Sequence, residues 1–186
     1  MTRVPGLPDD TFDHDGLLTK REIRAVVLAY LAPQPGELLW DVGAGAGSVS
    51  VEWMRSSRTC RAVAVEQDAV RAGRIRTNAA RLGVPDLVVV PHRAPGALDG
   101  LPAPDAVFLG GGLAGDGMLA ACWDALRPGG RLVATAVTVE GESVLGAAHG
   151  RLGGVLTRVA VAHALPIGGF TGWRPRREVT LWWGPR

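Results

Sequence analysis

The sequence predicts an α/β fold, a mostly parallel sheet of seven strands with helices on both faces and an antiparallel strand at one end. Three observations predict it. Apolar runs of strand length alternate with amphipathic helical stretches through the first five strands, the pattern that buries a parallel sheet between helical layers. The run Leu38-Leu39-Trp40-Asp41-Val42 breaks into Gly43-Ala44-Gly45-Ala46-Gly47-Ser48, as a buried strand does when it ends at a tight turn into a helix. Two closing β-rich runs have no helix between them, which makes them a hairpin and one of them antiparallel to the rest.

The elements follow in order. The segment 5–16 is polar and turn-rich, with Asp9, Asp10, Asp13 and Asp15 around Phe12 and His14, and reads as a solvated lead-in. Thr19-Lys20-Arg21-Glu22 matches a capping box with Thr19 as N-cap. Behind it Ile23, Val26, Val27, Tyr30 and Leu31 form an amphipathic stripe, ended by Pro33 and Pro35-Gly36. The first strand is 37–42. Residues 48–55 are locally ambiguous, because Val49, Val51 and Trp53 alternate as in a strand; their position after a glycine turn predicts a helix. A second strand, 61–65, ends in Glu66, and a long helix over 68–82 carries Ile75, Ala79 and Leu82 on one face, with Gly83 as its C-cap. Strands over 87–90 and 105–109 follow, the latter opening onto Gly110-Gly111-Gly112, with Gly115 and Gly117 close behind. Met118, Leu119, Cys122, Trp123 and Leu126 mark a helix, 131–137 a fifth strand and 143–152 a helix; β-rich runs at 155–162 and 178–183 flank a glycine and arginine loop, 168–177.

At 186 residues the chain is read as one domain, with a lead-in and cap helix over 1–36 and the α/β core over 37–186. The longest apolar run, Ala25 to Ala32, is far short of the ~20 residues that span a bilayer, and the first residues show no signal-type apolar segment; the expectation is a soluble cytoplasmic protein without a membrane partner. Cys60 and Cys122 have no CxxC spacing and are expected as free buried thiols, with no metal site. Twenty basic residues against 18 acidic give no field that argues for nucleic acid.

The glycine spacing is GxGxG. A dinucleotide fingerprint would need glycine where Ser48 stands, and a P-loop would need a following Gly-Lys-Ser/Thr. A carboxylate at a second-strand tip, Glu66, can accept both hydroxyls of a ribose. Asp41 at the mouth of the loop disfavours a pyrophosphate but suits a ligand with an ammonium and a sulfonium. Those are the features of S-adenosylmethionine (SAM) rather than NAD.

With that loop the sequence resembles the class I SAM-dependent methyltransferases of Rossmann-like fold, Asp41 to Gly47 standing as their first motif and Glu66 as the ribose acid. Four further stretches, Pro8-Asp9-Asp10-x-Phe12, Leu18 to Arg24, Asp105 to Gly111 and Ala134-x-Ala136-Val137-Thr138-Val139-Glu140, are similar to the decarboxylating precorrin (or cobalt-precorrin) C15-methyltransferases of the cobalamin pathway. The domain of that family also forms the C-terminal half of bifunctional C5,15 enzymes. Ala46 departs from the family, which often has threonine there. The resemblance implies SAM contacts at Thr19, Asp41, Gly43, Ala44, Gly45, Ala46, Gly47, Glu66 and the main chain at Ala94. It also implies a tetrapyrrole substrate, methylation of C15 with loss of the ring C acetate carboxyl, and a homotetramer fused to or paired with a C5-methylating domain. Such an oligomer would place an interface near Trp173 or Trp182-Trp183.

A polycarboxylate macrocycle needs an open floor and cations at the rim. Gly110, Gly111 and Gly112 supply the floor; Lys20, Arg21, Arg24, Arg93, Arg174, Arg176 and Arg177 are the candidate cations, Arg93 foremost. Methyl transfer to a nucleophilic macrocycle carbon is chiefly a matter of positioning. Thr138, Glu140 and His92 are candidates for handling the proton of decarboxylation, and no catalytic residue is assigned. A tRNA or other nucleic-acid methyltransferase, and a noncatalytic SAM-binding module of a fused enzyme, are the rival readings. The first lacks the Asn/Asp-Pro-Pro-Tyr that base methylation uses after the fourth strand.

Overall fold

The computed structural model describes residues 6–113, 115 and 117–186; residues 1–5 of the expected lead-in, with 114 and 116 in the glycine-rich loop, lie outside the described set. The chain runs through α1 (Arg21–Leu31), β1 (Leu38–Val42), α2 (Ser48–Ser56), β2 (Arg61–Val65), α3 (Ala69–Arg81), β3 (Val88–Val90), β4 (Ala106–Leu109), α4 (Met118–Ala125), β5 (Arg131–Ala136) and α5 (Val139–Leu152). It closes with β6 (Val155–Val159), β7 (Ala162–Ile167), β8 (Phe170–Pro175) and β9 (Val179–Pro185).

Seven strands form one sheet in the order β3-β2-β1-β4-β5-β9-β6. β1 pairs in parallel with both β2 and β4, so the winding direction reverses between β1 and β4, the point at which open α/β sheets leave a crevice at their carboxyl ends. The antiparallel strand is β9, which lies between β5 and β6 one place in from the edge. Alternate residues of each strand feed two apolar layers. Leu39, Ala64, Phe108 and Val133 pack under α1, α2 and α3, whereas Trp40, Val65, Leu109 and Leu132 pack under α4 and α5. Cys60 and Cys122 are free and buried, one in each layer.

Residues 48–56 are helical, and the structure explains their strand-like alternation. Val49, Val51, Glu52, Trp53 and Met54 are all buried, so the helix has no solvent face to give a period of 3.6.

Several expectations fail. The lead-in is only partly solvated: Asp10, Asp13 and Asp15 are exposed, but Phe12 is in the core, and the Asp9 carboxylate accepts the amide hydrogen of Arg21 at 2.9 Å. That contact replaces the expected capping box, since Lys20 is the N-cap of α1 and no capping side chain of its own serves it. Helix α5 begins at Val139 rather than 143, with the Thr138 hydroxyl accepting from Gly141 N at 3.2 Å. The expected loop 168–177 is mostly strand: β7 and β8 pair antiparallel around Gly168-Gly169 as a separate two-stranded arm. Its side chains alternate without burying a face, which left no apolar signal to read. Trp182 is wholly buried against Trp123 and donates its indole hydrogen to Gly153 O, and Trp183 packs on Tyr30. Trp182 therefore belongs to the core, and Trp183 is half-buried against it.

Candidate cofactor and substrate site

The loops after β1 and β4 meet at the reversal point. Val42 O accepts from Gly110 N at 3.0 Å, and Gly43 N and Ala44 N both donate to Val65 O. Gly43 has φ +72°, and a Cβ there would stand 2.9 Å from Gly111 N and Cα; the two loops touch backbone to backbone, and no side chain fits between them. Gly45 has φ +59°, and a Cβ would stand 2.9 Å from Leu17 O. The segment 12–19 therefore runs over the glycine loop as a strap.

Glu66 follows β2 and is almost fully buried. Its Oε2 accepts from Gly45 N at 2.9 Å and its Oε1 from Asp68 N at 3.0 Å. Two backbone donors fix the carboxylate, and each oxygen keeps acceptor capacity for a further hydroxyl. Asp41 does not stand at the mouth of the loop. It lies wholly buried beneath it, Oδ2 accepting from Ser50 N at 3.0 Å and Ser50 Oγ at 2.6 Å in the first turn of α2. Burial pushes its pKa up to about 6, against the opposing pull of the Ser50 donors and with a smaller contribution from the Glu66 charge. Its Oδ1 is buried with no partner among the described residues. An unpartnered carboxylate oxygen beneath a bare loop and a clamped diol acceptor beside it fit a ligand that carries an ammonium and a ribose.

Thr19 is half-buried, and its carbonyl accepts from Arg24 Nη1 at 2.6 Å. Ala46 is buried in the loop itself, and Ala94 is buried after β3 beside exposed His92 and Arg93. Thr138 caps α5 and Glu140 is exposed on its first turn. Gly110 and Gly112 are exposed and Gly111 half-buried at the carboxyl edge.

Arg24 is not a rim cation. It is wholly buried, with Nε 2.6 Å from Glu52 Oε1, and its guanidinium also reaches Asp9, Thr19 O and Leu7 O. The other cations converge on one edge. Arg131 at the start of β5 bonds the carbonyls of Leu31 and Ala32, so α1 starts at the opposite, carboxyl edge with Lys20 and Arg21. β9 runs antiparallel, Thr180 opposite Ala136 and Val179 opposite Val159, which puts the β7–β8 arm and exposed Arg174, Arg176 and Arg177 at that same edge. His163 Nε2, 3.0 Å from Glu22 Oε1, ties the base of the arm to α1.

The arginines of α3 are committed inward. Arg71 and Arg74 pair with Asp15 at 2.9 and 3.0 Å, Arg76 bonds Val89 O and Arg81 bonds Thr11 O. They hold structure together and do not present a free basic face to a polyanion.

Sequence reasoning gave Arg24 the wrong role and missed Glu52 and Asn78. A signal existed: Arg24 is in phase with Val27, Leu28 and Leu31, Glu52 with Val49 and Trp53, and Asn78 with Ile75, Ala79 and Leu82. A polar residue at a core phase is buried with a partner.

Residues 10–186 match the family model described as a precorrin methyltransferase domain. A precorrin-6Y C(5,15)-methyltransferase [decarboxylating] of Sinorhizobium is 54% identical over 95% of this chain and 43% of its own length; the chain thus spans less than half of that curated relative. A protein of Pyrobaculum calidifontis, 37% identical over 90% of this chain and 89% of its own, carries the name probable cobalt-precorrin-6B C(15)-methyltransferase (decarboxylating). The crystal structure of the C-terminal domain of precorrin-6Y C5,15-methyltransferase from Rhodobacter capsulatus superposes with a TM-score of 0.93 at 45% identity, each chain covered completely.

Proposed function

This chain belongs to the precorrin methyltransferase domain family, and on that premise we propose that it is a SAM-dependent methyltransferase. It methylates C15 of a precorrin with decarboxylation of the ring C acetate in cobalamin biosynthesis. The observation that carries the reading is the meeting of the loop 43–47, clamped Glu66 and the glycine floor 110–112 at the reversal point of the sheet. Within it Glu66 takes the ribose diol, Asp41 the ammonium, and Thr19, Gly43 to Gly47 and Ala94 line the cofactor. When bound, SAM supplies a methyl group on a sulfonium.

The chain itself holds the macrocycle. Gly110, Gly111 and Gly112 leave a floor that a broad ring can approach, and Lys20, Arg21, Arg93, Arg174, Arg176 and Arg177 stand where peripheral carboxylates would reach. The Thr138 hydroxyl, while accepting from Gly141 N, still has its hydrogen to donate toward substrate. Positioning is the main contribution asked of the protein. The test is turnover of SAM with precorrin-6Y or its C5-methylated form, read by mass. Gain of one methyl and loss of carbon dioxide in the same product are expected. Binding of SAM with neither change would make the chain a noncatalytic module and end the proposal.

A homo-oligomer, a tetramer by family resemblance, belongs to the same proposal, as do a joined or partner C5-methylating domain and a cytoplasmic setting. Ile167, Phe170 and Trp173 on the arm are 65%, 83% and 77% exposed, more apolar surface than a small arm ordinarily leaves in water. Phe170→Ser with Trp173→Ser is expected to lower the mass seen in sedimentation; a wild-type monomer would dismiss the assembly.

The Asp41 assignment predicts a pH dependence. In the free protein its pKa is raised from 3.8 to about 6, so the bound proton favours the fold below the ordinary value and that contribution is gone above the folded one. An ammonium needs the carboxylate, so S-adenosylhomocysteine (SAH) affinity is expected to fall about tenfold per pH unit below about 6 and to be flat above it. Calorimetric titration across that range checks this, and flat affinity throughout would remove Asp41 as the partner.

A further inference from the structure

Helix α3 starts just after Glu66 and runs beneath both the glycine loop and the strap. Asn78, near its C-terminal end, is wholly buried. Its side-chain amide nitrogen donates to Ala46 O at 3.0 Å and to Asp13 O at 2.9 Å, and its oxygen accepts from Asp13 N at 2.9 Å. A fourth contact, from Arg81 Nη2 at 3.3 Å, completes the hydrogen-bonding capacity of the amide. A core asparagine needs partners somewhere; what distinguishes this one is where they lie. Three of its four bonds go to the glycine loop and to the strap that crosses it, and the strap returns to touch the loop where Leu17 O meets Gly45.

We infer that Asn78 is a positioning residue of the cofactor site, joining the strap 12–19 and the loop 43–47 so that the two move as one body around the ligand. Nothing else among the described contacts ties a single side chain to both segments. Arg24 holds the strap from its other end at Thr19 O, and Arg71 and Arg74 hold Asp15 from outside, but none of these reaches the loop. The inference rests on the reading of the loop as the SAM site, and it adds that the strap belongs to that site.

The test is amide hydrogen exchange on the wild-type protein with and without SAH, then on Asn78→Asp. In the wild type SAH is expected to slow exchange in 43–47 and in 13–19 together, by about tenfold or more in each. Asn78→Asp keeps size and the acceptor for Asp13 N but loses both donated bonds. In it SAH should still protect the loop while protection of the strap is lost, and affinity should fall about tenfold. A purely structural role would lower the melting temperature and leave the two segments protected together. Protection of the loop but not the strap in the wild type would overturn the inference while leaving the cofactor reading intact. Protection of neither, with no SAH binding, would overturn the cofactor reading and this inference with it.

Discussion

Arg24→Ala is expected to destabilise the protein by about 3–5 kcal/mol, the usual cost of leaving a buried charge without its partner. Glu52 would lose the guanidinium at 2.6 Å while staying wholly enclosed. Thr19 O and Leu7 O would lose their donor, and Phe12 would lose the cation that sits 4.9 Å above its ring. Glu52 is no free acid, for it also accepts from Gly6 N at 2.5 Å and Leu7 N at 3.0 Å. The pair thus serves as a buried anchor for the first described residues of the chain. Against a total of about 5–15 kcal/mol for an ordinary domain, the loss should lower the melting temperature by roughly 10 °C. Urea denaturation is the measurement, and a loss under about 1 kcal/mol would mean that water enters and relieves Glu52. Replacing both partners by apolar residues, often harmless for an isolated ion pair, should recover only part of the loss, because four backbone groups would still want partners.

Glu66→Gln is expected to weaken SAH binding by about a hundredfold or more, two charge-assisted hydrogen bonds being lost at once. The geometry makes glutamine a poor substitute. Each oxygen of Glu66 already accepts from a backbone N–H, one from Gly45 and one from Asp68, so whichever way the amide turns, its NH2 faces a donor. The variant therefore loses the ribose contact and also pushes on the glycine loop. Calorimetry on the variant, and on the wild type with a ligand lacking the ribose hydroxyls, separates the two effects. If the residue and the diol act on each other, the variant should not distinguish the two ligands, whereas the wild type should. Equal discrimination by both proteins would take Glu66 out of the ribose contact.

Much of the site was legible in particular residues. Gly43, Gly45 and Gly47 after an apolar run, and Glu66 at the next strand tip, are local patterns set by the chemistry of a turn and a carboxylate, and the structure joins the two patterns through the hydrogen bond from Gly45 N to Glu66. Thr19 was read as the cap of the first helix, a place that Lys20 takes, because a capping box is spelled by residue types alone and the helix start is met instead by the Asp9 carboxylate. Asp41 was legible as important but misplaced. Whether an acid at a strand end points outward or bends back under the loop to Ser50 depends on packing beneath the loop.

What the sequence by itself determined is the order and kind of the elements of the seven-stranded sheet and its helices, though not the β7–β8 arm, since hydrophobic period and glycine placement are local and each strand of that sheet carries its own. What only the tertiary structure decided is every contact made across the chain by polar groups. Arg24 finds Glu52 from 28 residues away and Asn78 finds Asp13 from 65, and Asp9 caps a helix twelve residues ahead of it. Such groups are buried because a partner waits for them, and the partner is chosen by the fold.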